Sequence, residues 1–382
     1  MKILHTSDWH LGKFVSVQSM IDDQQYFIEH IFLKALDEYA PDVIVLAGDI
    51  YDRSIAPLPA IALLEDTLYA VAERGIPLIA ISGNHDSAER LMPASRLIRT
   101  AGIYLANSIS DFFTPIDITG KDGSRARFFA LPYFDLPTAR NFTGRDDLRN
   151  VNEAYAALFE MAAVKRAADC PNILITHCTV TGSITCESES QITVGGAQQV
   201  SSHSFGCFDF TCLGHIHSPQ KAGKRAMYSG SPLRYSFDPN ERDKCMLLID
   251  TAQDMAVTRI PIVPRREMRT LSGSFEELLN VPDNCSEDYI FAAVTDDHPI
   301  YEPMARLREK YPNILGLSQA CIRHSFDKDD SRDEIRQKMA SHSITDEEIM
   351  GFFLRDICKT EPLPEDIEFF REITACVGED DL

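Results

Sequence analysis

The fold of this chain is decided by one stretch, Val43-Ile44-Val45-Leu46-Ala47-Gly48-Asp49-Ile50-Tyr51-Asp52. Its first five residues are an unbroken apolar run of strand length, which predicts a buried strand of a parallel sheet. A glycine and a carboxylate follow directly. A carboxylate at the exit of a buried strand contributes nothing to strand packing, but it suits a site that binds a metal ion and a phosphate.

Four other stretches repeat this arrangement, in which an apolar strand is followed by Asp, Asn or His. They are residues 2–7 before Asp8-Trp9-His10, residues 78–82 before Gly83-Asn84-His85-Asp86, residues 172–176 before His177, and residues 210–213 before Gly214-His215-Ile216-His217. Ligands bind at the carboxyl ends of the strands in open α/β sheets, so these polar groups are expected to converge. The whole set is typical of a two-metal phosphoesterase.

The mixture of Asp, Asn and His ligands suits Mn²⁺, with Zn²⁺ or Fe²⁺ as alternatives. A two-metal hydrolase holds its ions about 3.5–4 Å apart and needs a carboxylate that bridges them. Asp49, at the exit of the most buried strand, is the natural bridge. Spacing along the chain does not assign the other ligands to either ion. Asp52 either reaches the site or forms a hydrogen bond within its own loop, and Trp9 either packs in the core or stacks on a base.

The length of 382 residues predicts two or three domains, and no apolar run approaches the ~18 residues of a membrane span. The first residues lack the layout of a signal peptide, because their apolar run leads straight into Asp8. The ten cysteines contain no C-x-x-C pair and are expected to be reduced. The chain is therefore expected to be cytoplasmic and not bound to a membrane.

The formal net charge of −21 argues against strong binding of nucleic acid by this chain alone. The charge is unevenly distributed, because seventeen acidic and only seven basic residues lie between His324 and Leu382. Two divalent cations would also offset the carboxylates of Asp8 and Asp49. A basic partner would strengthen the interaction with a phosphate backbone.

The pattern of apolar residues predicts two packed sheets in the first part of the chain. Strands and helices alternate up to residue 102, with helices expected over 20–36, 57–75 and 88–100. Strands are then expected at 112–119, 125–133, 173–176, 210–213, 226–229, 244–250 and 255–262, with one helix over 151–168 and a polar loop over 182–204. This order predicts a four-layer α/β/β/α sandwich over residues 1–265.

A small α+β unit is expected over residues 266–323. Its elements are strands at 268–271, 289–294 and 315–322 and helices at 274–279 and 301–310. A charged linker over 324–343 and two short amphipathic helices over 344–382 follow. Their apolar stripes are Ile349, Phe352, Phe353 and Ile357, and then Ile367, Phe370, Ile373 and Val377. Helices this short are marginal unless they are packed, so they either fold back or dock on a partner.

The residues at the five strand exits resemble the calcineurin-like metallophosphoesterase superfamily. The flanking segments 5–12, 48–53, 194–196 and 228–237 are similar to those of the SbcD family, the nuclease subunits of bacterial SbcCD complexes. The resemblance extends over essentially the whole chain, and no metal position departs from the pattern. The region after residue 328 is its least diagnostic part.

This resemblance implies an Mn²⁺-dependent DNA nuclease with two ions per subunit. Such an enzyme is a 3′→5′ exonuclease on duplex DNA and an endonuclease on single strands and hairpins, with roles in DNA repair, recombination and replication. The resemblance assigns Asp8, His10 and His217 to one ion and Asn84, His177 and His215 to the other. His85 then serves as a general acid or orients the phosphate. A role for His85 as a metal ligand is less favoured.

The resemblance also implies partners for the chain. It predicts a homodimer that works with an SbcC-like coiled-coil ABC ATPase on DNA, with residues 266–323 as a DNA-facing cap and the last helices as the segment that binds the ATPase.

Two other functions remain as alternatives. A phosphatase or cyclic-nucleotide phosphodiesterase shares the metal motif, but it needs neither the added unit nor the amphipathic tail. An inactive scaffold protein is expected to have lost ligands, and none is lost here.

Overall fold

A computed structural model divides the chain into two compact units, Met1–Met268 and Arg269–Leu382. The structure describes residues 1–87, 90, 98–189, 198–241, 243–281 and 287–321, and also residues 345, 350, 351, 354, 363, 366–368, 370 and 371. Segment 194–196 and the charged linker over 324–343 lie outside the described residues, as do most of the helices predicted over 88–100 and 344–382. Within the described residues, no helix is both long and apolar enough to span a membrane.

The strands of the first unit fall mainly into two six-stranded sheets. In chain order the strands are β1 Lys2–Thr6, β2 Phe14–Val15, β3 Gln18–Ser19, β4 Val43–Ala47, β5 Leu78–Ile81, β6 Ile103–Ala106, β7 Ile116–Thr119, β8 Arg125–Leu131, β9 Asn172–His177, β10 Thr179–Val180, β11 Gln199–Val200, β12 Phe210–Gly214, β13 Gln220–Lys221, β14 Ala226–Tyr228, β15 Cys245–Asp250 and β16 Ala256–Pro261. The spatial order is β16-β15-β1-β4-β5-β6 in one sheet and β13-β14-β12-β9-β8-β7 in the other.

Helices cover these sheets. They are α1 Ile21–Phe27, α2 Leu33–Tyr39, α3 Leu58–Glu73, α4 Ile109–Phe112, α5 Leu136–Thr143 and α6 Val151–Ala162, with a π-helical turn at Ile28–Phe32 between the first two. In α3, a proline opens the helix and one apolar stripe is buried. The predicted helices over 20–36 and 57–75 are confirmed.

Parallel pairing places the polar strand exits at one edge of each sheet. Strand β4 pairs in parallel with β1 and with β5, and β9 pairs in parallel with β12. Because the carboxyl ends of parallel strands point the same way, the loops after these strands can meet.

The core lies between the two sheets and on the outer face of the second. Alternate residues of β4, including Val43 and Val45, pack in one buried cluster with Phe128 and Ile175 of the second sheet. Another cluster joins the opposite face of that sheet to α6. The intervening residue Ile44 is also fully buried, on the outer side of the first sheet. The predicted α/β/β/α sandwich is confirmed.

The structure differs from the sequence prediction at two places between residues 108 and 145. The strand predicted from Phe112 begins only at Ile116, because Ser108 starts helix α4 with a capping box that includes Asp111. Helix α5 was not predicted. It begins where the carboxylate of Asp135 accepts a hydrogen bond from the Thr138 amide, 2.9 Å away, and it ends at Gly144 in a left-handed conformation.

The described part of the second unit is an α+β structure. Its elements are β17 Met268–Gly273, α7 Phe275–Asn280, β18 Tyr289–Val294, α8 Pro303–Lys310 and β19 Ile314–Gln319, with the strands in the order β17-β18-β19. Phe275, Leu278, Leu307 and Tyr311 form its core with β18. The five elements predicted in this region are therefore present, with ends shifted by up to three residues.

Candidate metal centre

The structure brings together all eight side chains that the sequence predicted for the site. Asp8 and His10 follow β1, Asp49 follows β4, and Asn84 and His85 follow β5. The others come from the second sheet, where His177 ends β9 and His215 and His217 follow β12. Two groups of possible metal ligands within this set each contain Asp8.

Asp49 lies between the two groups of imidazoles. Its Oδ2 atom is 3.3 Å from Nε2 of His177 and 3.5 Å from Nε2 of His10. Its Oδ1 atom accepts a hydrogen bond from the His85 amide, 2.9 Å away. One carboxylate therefore reaches both sides of the site, as a bridging ligand must.

On one side of Asp49, the Nε2 atoms of His10 and His217 face each other at 3.0 Å. The other ring nitrogen of His217, Nδ1, is 2.7 Å from the Ser188 hydroxyl. This contact fixes the ring so that Nε2 points into the site. Two imidazole nitrogens pointing at each other form a natural position for a cation.

On the other side, the side-chain oxygen of Asn84 lies between two imidazoles. It is 3.0 Å from Nε2 of His177 and 2.9 Å from Nδ1 of His215. Nδ1 of His177 donates to the backbone carbonyl of Ala47, 2.9 Å away, which directs Nε2 toward Asn84. This is again a converging set of oxygen and nitrogen donors.

Burial and mutual charge shift the pKa values of these groups in opposite directions. Burial raises the pKa of Asp8 to about 7. Burial also opposes the ionisation of Asp49, but nearby His177 and His10 hold its pKa well below the ordinary value. Burial lowers the pKa of His215 to about 3. At His177 burial acts in the same direction, but the charge and hydrogen bond of Asp49, the charge of Asp8 and the carbonyl of Ala47 together raise the pKa to about 9. Buried carboxylates beside unprotonated imidazoles such as that of His215 fit a site where divalent cations supply the positive charge.

The backbone at this site adopts conformations that L-residues rarely take. The φ angles of Asp8, His10, Asp49 and His215 are +53°, +46°, +48° and +100°. Such residues persist only where the surroundings enforce them, and they cluster at functional sites. At Gly214, an added Cβ atom would lie 1.8 Å from the carbonyl oxygen of Ala47, so only glycine permits this approach of β12 to β4.

Comparison with known proteins identifies the family. Residues 1–219, more than half of the chain, match the calcineurin-like phosphoesterases. The chain belongs to the calcineurin-like phosphoesterase family. Residues 264–356 match a second family, described as the type 5 capsule protein repressor C-terminal domain. The chain is therefore a hydrolase that binds divalent metal, and the cluster at the sheet edge is the candidate site for that metal.

One relative matches this phosphoesterase along most of its length. It is the SbcD subunit of the nuclease SbcCD from Staphylococcus epidermidis (strain ATCC 12228 / FDA PCI 1200), which is 34% identical over 331 residues, 85% of this chain and 87% of the relative. The chain therefore belongs with the SbcD subunits of SbcCD nucleases. A solved structure, TT1561 of Thermus thermophilus, is 14% identical and covers 69% of this chain and 99% of its own, with a TM-score of 0.41. That likeness is too low to support an argument.

Asp86, to which the sequence assigned no role, positions two loops of the site. Its carboxylate accepts hydrogen bonds from the backbone amides of Ile50, Tyr51 and Gly83, at 3.1, 2.9 and 2.9 Å. It therefore joins the loop that carries Asp49 to the loop that carries Asn84. In the sequence, its position directly after Gly83-Asn84-His85 is the feature that could have indicated this role.

Gln24 of α1 and Tyr235 hold the loop around His10. The Gln24 side chain accepts from the amide of Gly12 at 2.9 Å and donates to the His10 carbonyl at 2.8 Å. Tyr235 donates its hydroxyl proton to the Trp9 carbonyl at 2.5 Å. The Trp9 ring is 1% exposed, so it packs in the core and is not positioned to stack on a base.

Glu189 and Lys244 form hydrogen bonds to the backbone of His217 and so hold it in place. A carboxylate oxygen of Glu189 accepts from the His217 amide at 2.6 Å, and the Lys244 ammonium donates to the His217 carbonyl at 2.9 Å. Lys244 also forms a buried ion pair with Glu241 at 2.7 Å. No motif marks these residues, because their role depends on contacts between distant segments.

His85 and Asp52 occupy the rim of the site. The Nδ1 atom of His85 is 2.8 Å from the Asp52 carbonyl oxygen, and its ring lies edge-on to His10 with centroids 4.8 Å apart. The Asp52 carboxylate pairs with Lys13 at 2.7 Å and lies 3.5 Å from Nδ1 of His10. Asp52 thus contacts the site through both its side chain and its backbone.

Proposed function

We propose that this chain is a metal-dependent DNA nuclease, the SbcD-like component of an SbcCD-type complex. It acts as a 3′→5′ exonuclease on duplex DNA and as an endonuclease on single strands and hairpins. The observation that carries the proposal is the position of Asp49 between two sets of imidazole ligands, in a chain that matches an SbcD nuclease subunit over 85% of its length.

Two ions are proposed for each copy of the chain. Asp8, His10 and His217 would hold one, and Asn84, His177 and His215 the other, with Asp49 shared. The nitrogens of His10 and His217 at 3.0 Å and the contacts of Asn84 support this division. Mixed oxygen and nitrogen ligands favour Mn²⁺. When bound, two divalent ions supply Lewis acidity at the attacking and leaving oxygens of a phosphodiester.

His85 is proposed as the residue that protonates the leaving oxygen or orients the phosphate. Its amide is bonded to Asp49 and its ring to the Asp52 carbonyl, so the ring has a fixed position at the rim. The ion pair of Lys13 with Asp52 lies beside the same rim.

An ATPase partner is proposed to complete the DNA-binding surface. The chain has a net charge of −21, so binding of duplex DNA requires positive charge from elsewhere. The segment 344–382 is proposed to bind the coiled-coil base of an SbcC-like ABC ATPase, and the complex is proposed to contain two copies of this chain. Residues 266–323 are proposed as the cap that faces the DNA.

Cleavage of defined DNA tests this function. Labelled linear duplex, hairpin and single-stranded DNA are incubated with the full chain and Mn²⁺, Mg²⁺ or EDTA, with and without the ATPase and ATP. We expect Mn²⁺-dependent cleavage of hairpins and single strands by the chain alone, and ATP-stimulated degradation of duplex ends with the ATPase. Hydrolysis confined to phosphomonoesters or cyclic nucleotides would contradict the proposal.

A further inference from the structure

A cavity of about 380 Å³ opens directly beside one half of the metal site. Asn84, His177 and His215 line one part of it. Most of the remaining wall is apolar or aromatic and comes from the loop after β8 and from helices α5 and α6. That wall includes Tyr133, Phe134, Leu136, Val151 and Tyr155.

The aromatic walls of this cavity are held in fixed positions. The Tyr133 amide donates to the carbonyl of Ser82 at 2.9 Å, which ties this residue to the end of β5. The Tyr133 ring is edge-on to His177, with centroids 6.4 Å apart, and the side chain is 39% exposed. Phe134 packs on Tyr155, whose hydroxyl lies 2.7 Å from that of Thr176. The cavity is therefore formed before a ligand arrives.

We propose that this cavity is a binding site for one unpaired nucleobase, that of the nucleotide whose phosphate lies at the metal centre. The inference rests on the proposed nuclease function. A partly exposed aromatic ring next to a phosphate site offers a stacking surface for any base, and such stacking is tolerant of sequence. The cavity volume is in the range of pockets that hold small ligands.

The requirement for an unpaired base follows from the position of the cavity. The proposed metal ligands Asn84, His177 and His215 form part of its wall, so a nucleotide with its phosphate at the ions reaches the cavity only when its base leaves the stack. Removing a base from a duplex costs least at frayed, mismatched or single-stranded positions. The site therefore selects loops, single strands and open ends as substrates.

The first test measures binding to the full-length chain in Mn²⁺ by calorimetry, with thymidine 5′-phosphate and 2-deoxyribose 5-phosphate as probes. We expect the wild type to bind the nucleotide about tenfold more tightly or better than the sugar phosphate. Tyr133→Ala should remove most of this difference, whereas Tyr133→Phe should keep it. Tyr69→Ala, at an exposed tyrosine of α3, is the matched control and should behave as wild type. Equal affinities of the wild type for both probes would overturn the proposal.

The second test uses cleavage of hairpins and single strands with a normal or an abasic nucleotide at the cleaved position. The wild type and Tyr133→Phe should cleave the normal substrate faster, and Tyr133→Ala should cleave both at similar rates while its metal content is unchanged. A preference retained in Tyr133→Ala would refute the base site. Failure of the wild type to cleave either DNA would instead refute the proposed nuclease function, so the two failures are distinguishable.

Discussion

Replacement of Lys244 by Met should destabilise the first unit and weaken metal binding. The ammonium of Lys244 donates to Glu241, Ser231 and the carbonyl of His217 at 2.7, 2.8 and 2.9 Å. The side chains of Lys244 and Glu241 are only 4% and 0% exposed. Met preserves most of the aliphatic stem but leaves the buried carboxylate of Glu241 without its cation. Breaking a buried pair in this way costs about 3–5 kcal/mol of the free energy of unfolding.

The effect of Lys244→Met on the metal follows from its bond to His217. A residue that orients a metal ligand typically contributes about 10–100-fold to metal affinity. The free energy of unfolding can be measured in urea on the metal-free chain through the fluorescence of Trp9, which is the only tryptophan and is buried in this unit. Mn²⁺ affinity can be measured by calorimetry.

The controls for Lys244→Met separate charge from packing. Lys34→Met, at an exposed lysine of α2, should change neither quantity. Adding Glu241→Gln to Lys244→Met removes the uncompensated charge and should restore part of the lost stability. A destabilisation by Lys244→Met below about 1 kcal/mol would refute this account of the buried pair, and so would unchanged Mn²⁺ affinity despite lost stability.

Three further variants test other parts of the account. His85→Ala should keep its metal ions but lose roughly 10²–10⁴ in the rate of DNA cleavage; loss of an ion, measured by atomic absorption, would make His85 a ligand. Gly214→Ala should displace the carbonyl of Ala47 and cost about 1–3 kcal/mol or more of stability in urea, whereas Gly206→Ala, with open space around the added atom, should be tolerated. Truncation after Lys328 should preserve cleavage of hairpin DNA but abolish co-elution with the ATPase in size-exclusion chromatography; a truncated chain that still co-elutes contradicts the docking role.

The sequence predicted the central sheets because strand length, polarity and order leave few alternatives. A run such as Val43 to Ala47 is too short for a typical buried helix and too apolar for an edge strand. Strand exits that carry Asp, Asn or His could be matched to one another, since parallel strands end on the same side. The structure brings together all eight side chains that this argument selects.

Two elements differ from the prediction because capping residues and apolar periodicity indicate different local structures there. The segment from Asp135 to Gly144 contains a capping residue, an early proline and a terminal glycine, but it lacks a long apolar stripe, so α5 was not recognised. The apolar side chain of Phe112 favours a strand, but the capping box formed by Ser108 and Asp111 starts a helix that ends at Phe112. In both places capping residues determine the local structure more than apolar periodicity does.

The supporting contacts of the metal site could not be predicted. Lys244 and Glu241 lie three residues apart in the sequence. Lys244 supports the site because it donates to the carbonyl of His217, which is 27 residues away. Gln24 supports His10 from a helix with no motif around it. Such contacts depend on the tertiary arrangement, whereas ligands at strand exits are visible in the local pattern.

The central claim is that Asp49 joins two divalent ions in a nuclease site. The most direct measurement is the number of Mn²⁺ ions bound per chain, together with cleavage of hairpin DNA, in the wild type and in Asp49→Ala. The account predicts two ions and cleavage in the wild type, and weakened binding of both ions with no cleavage in the variant, because Asp49 is the carboxylate that reaches both His10 and His177. Two tightly bound ions and full activity in Asp49→Ala would contradict it.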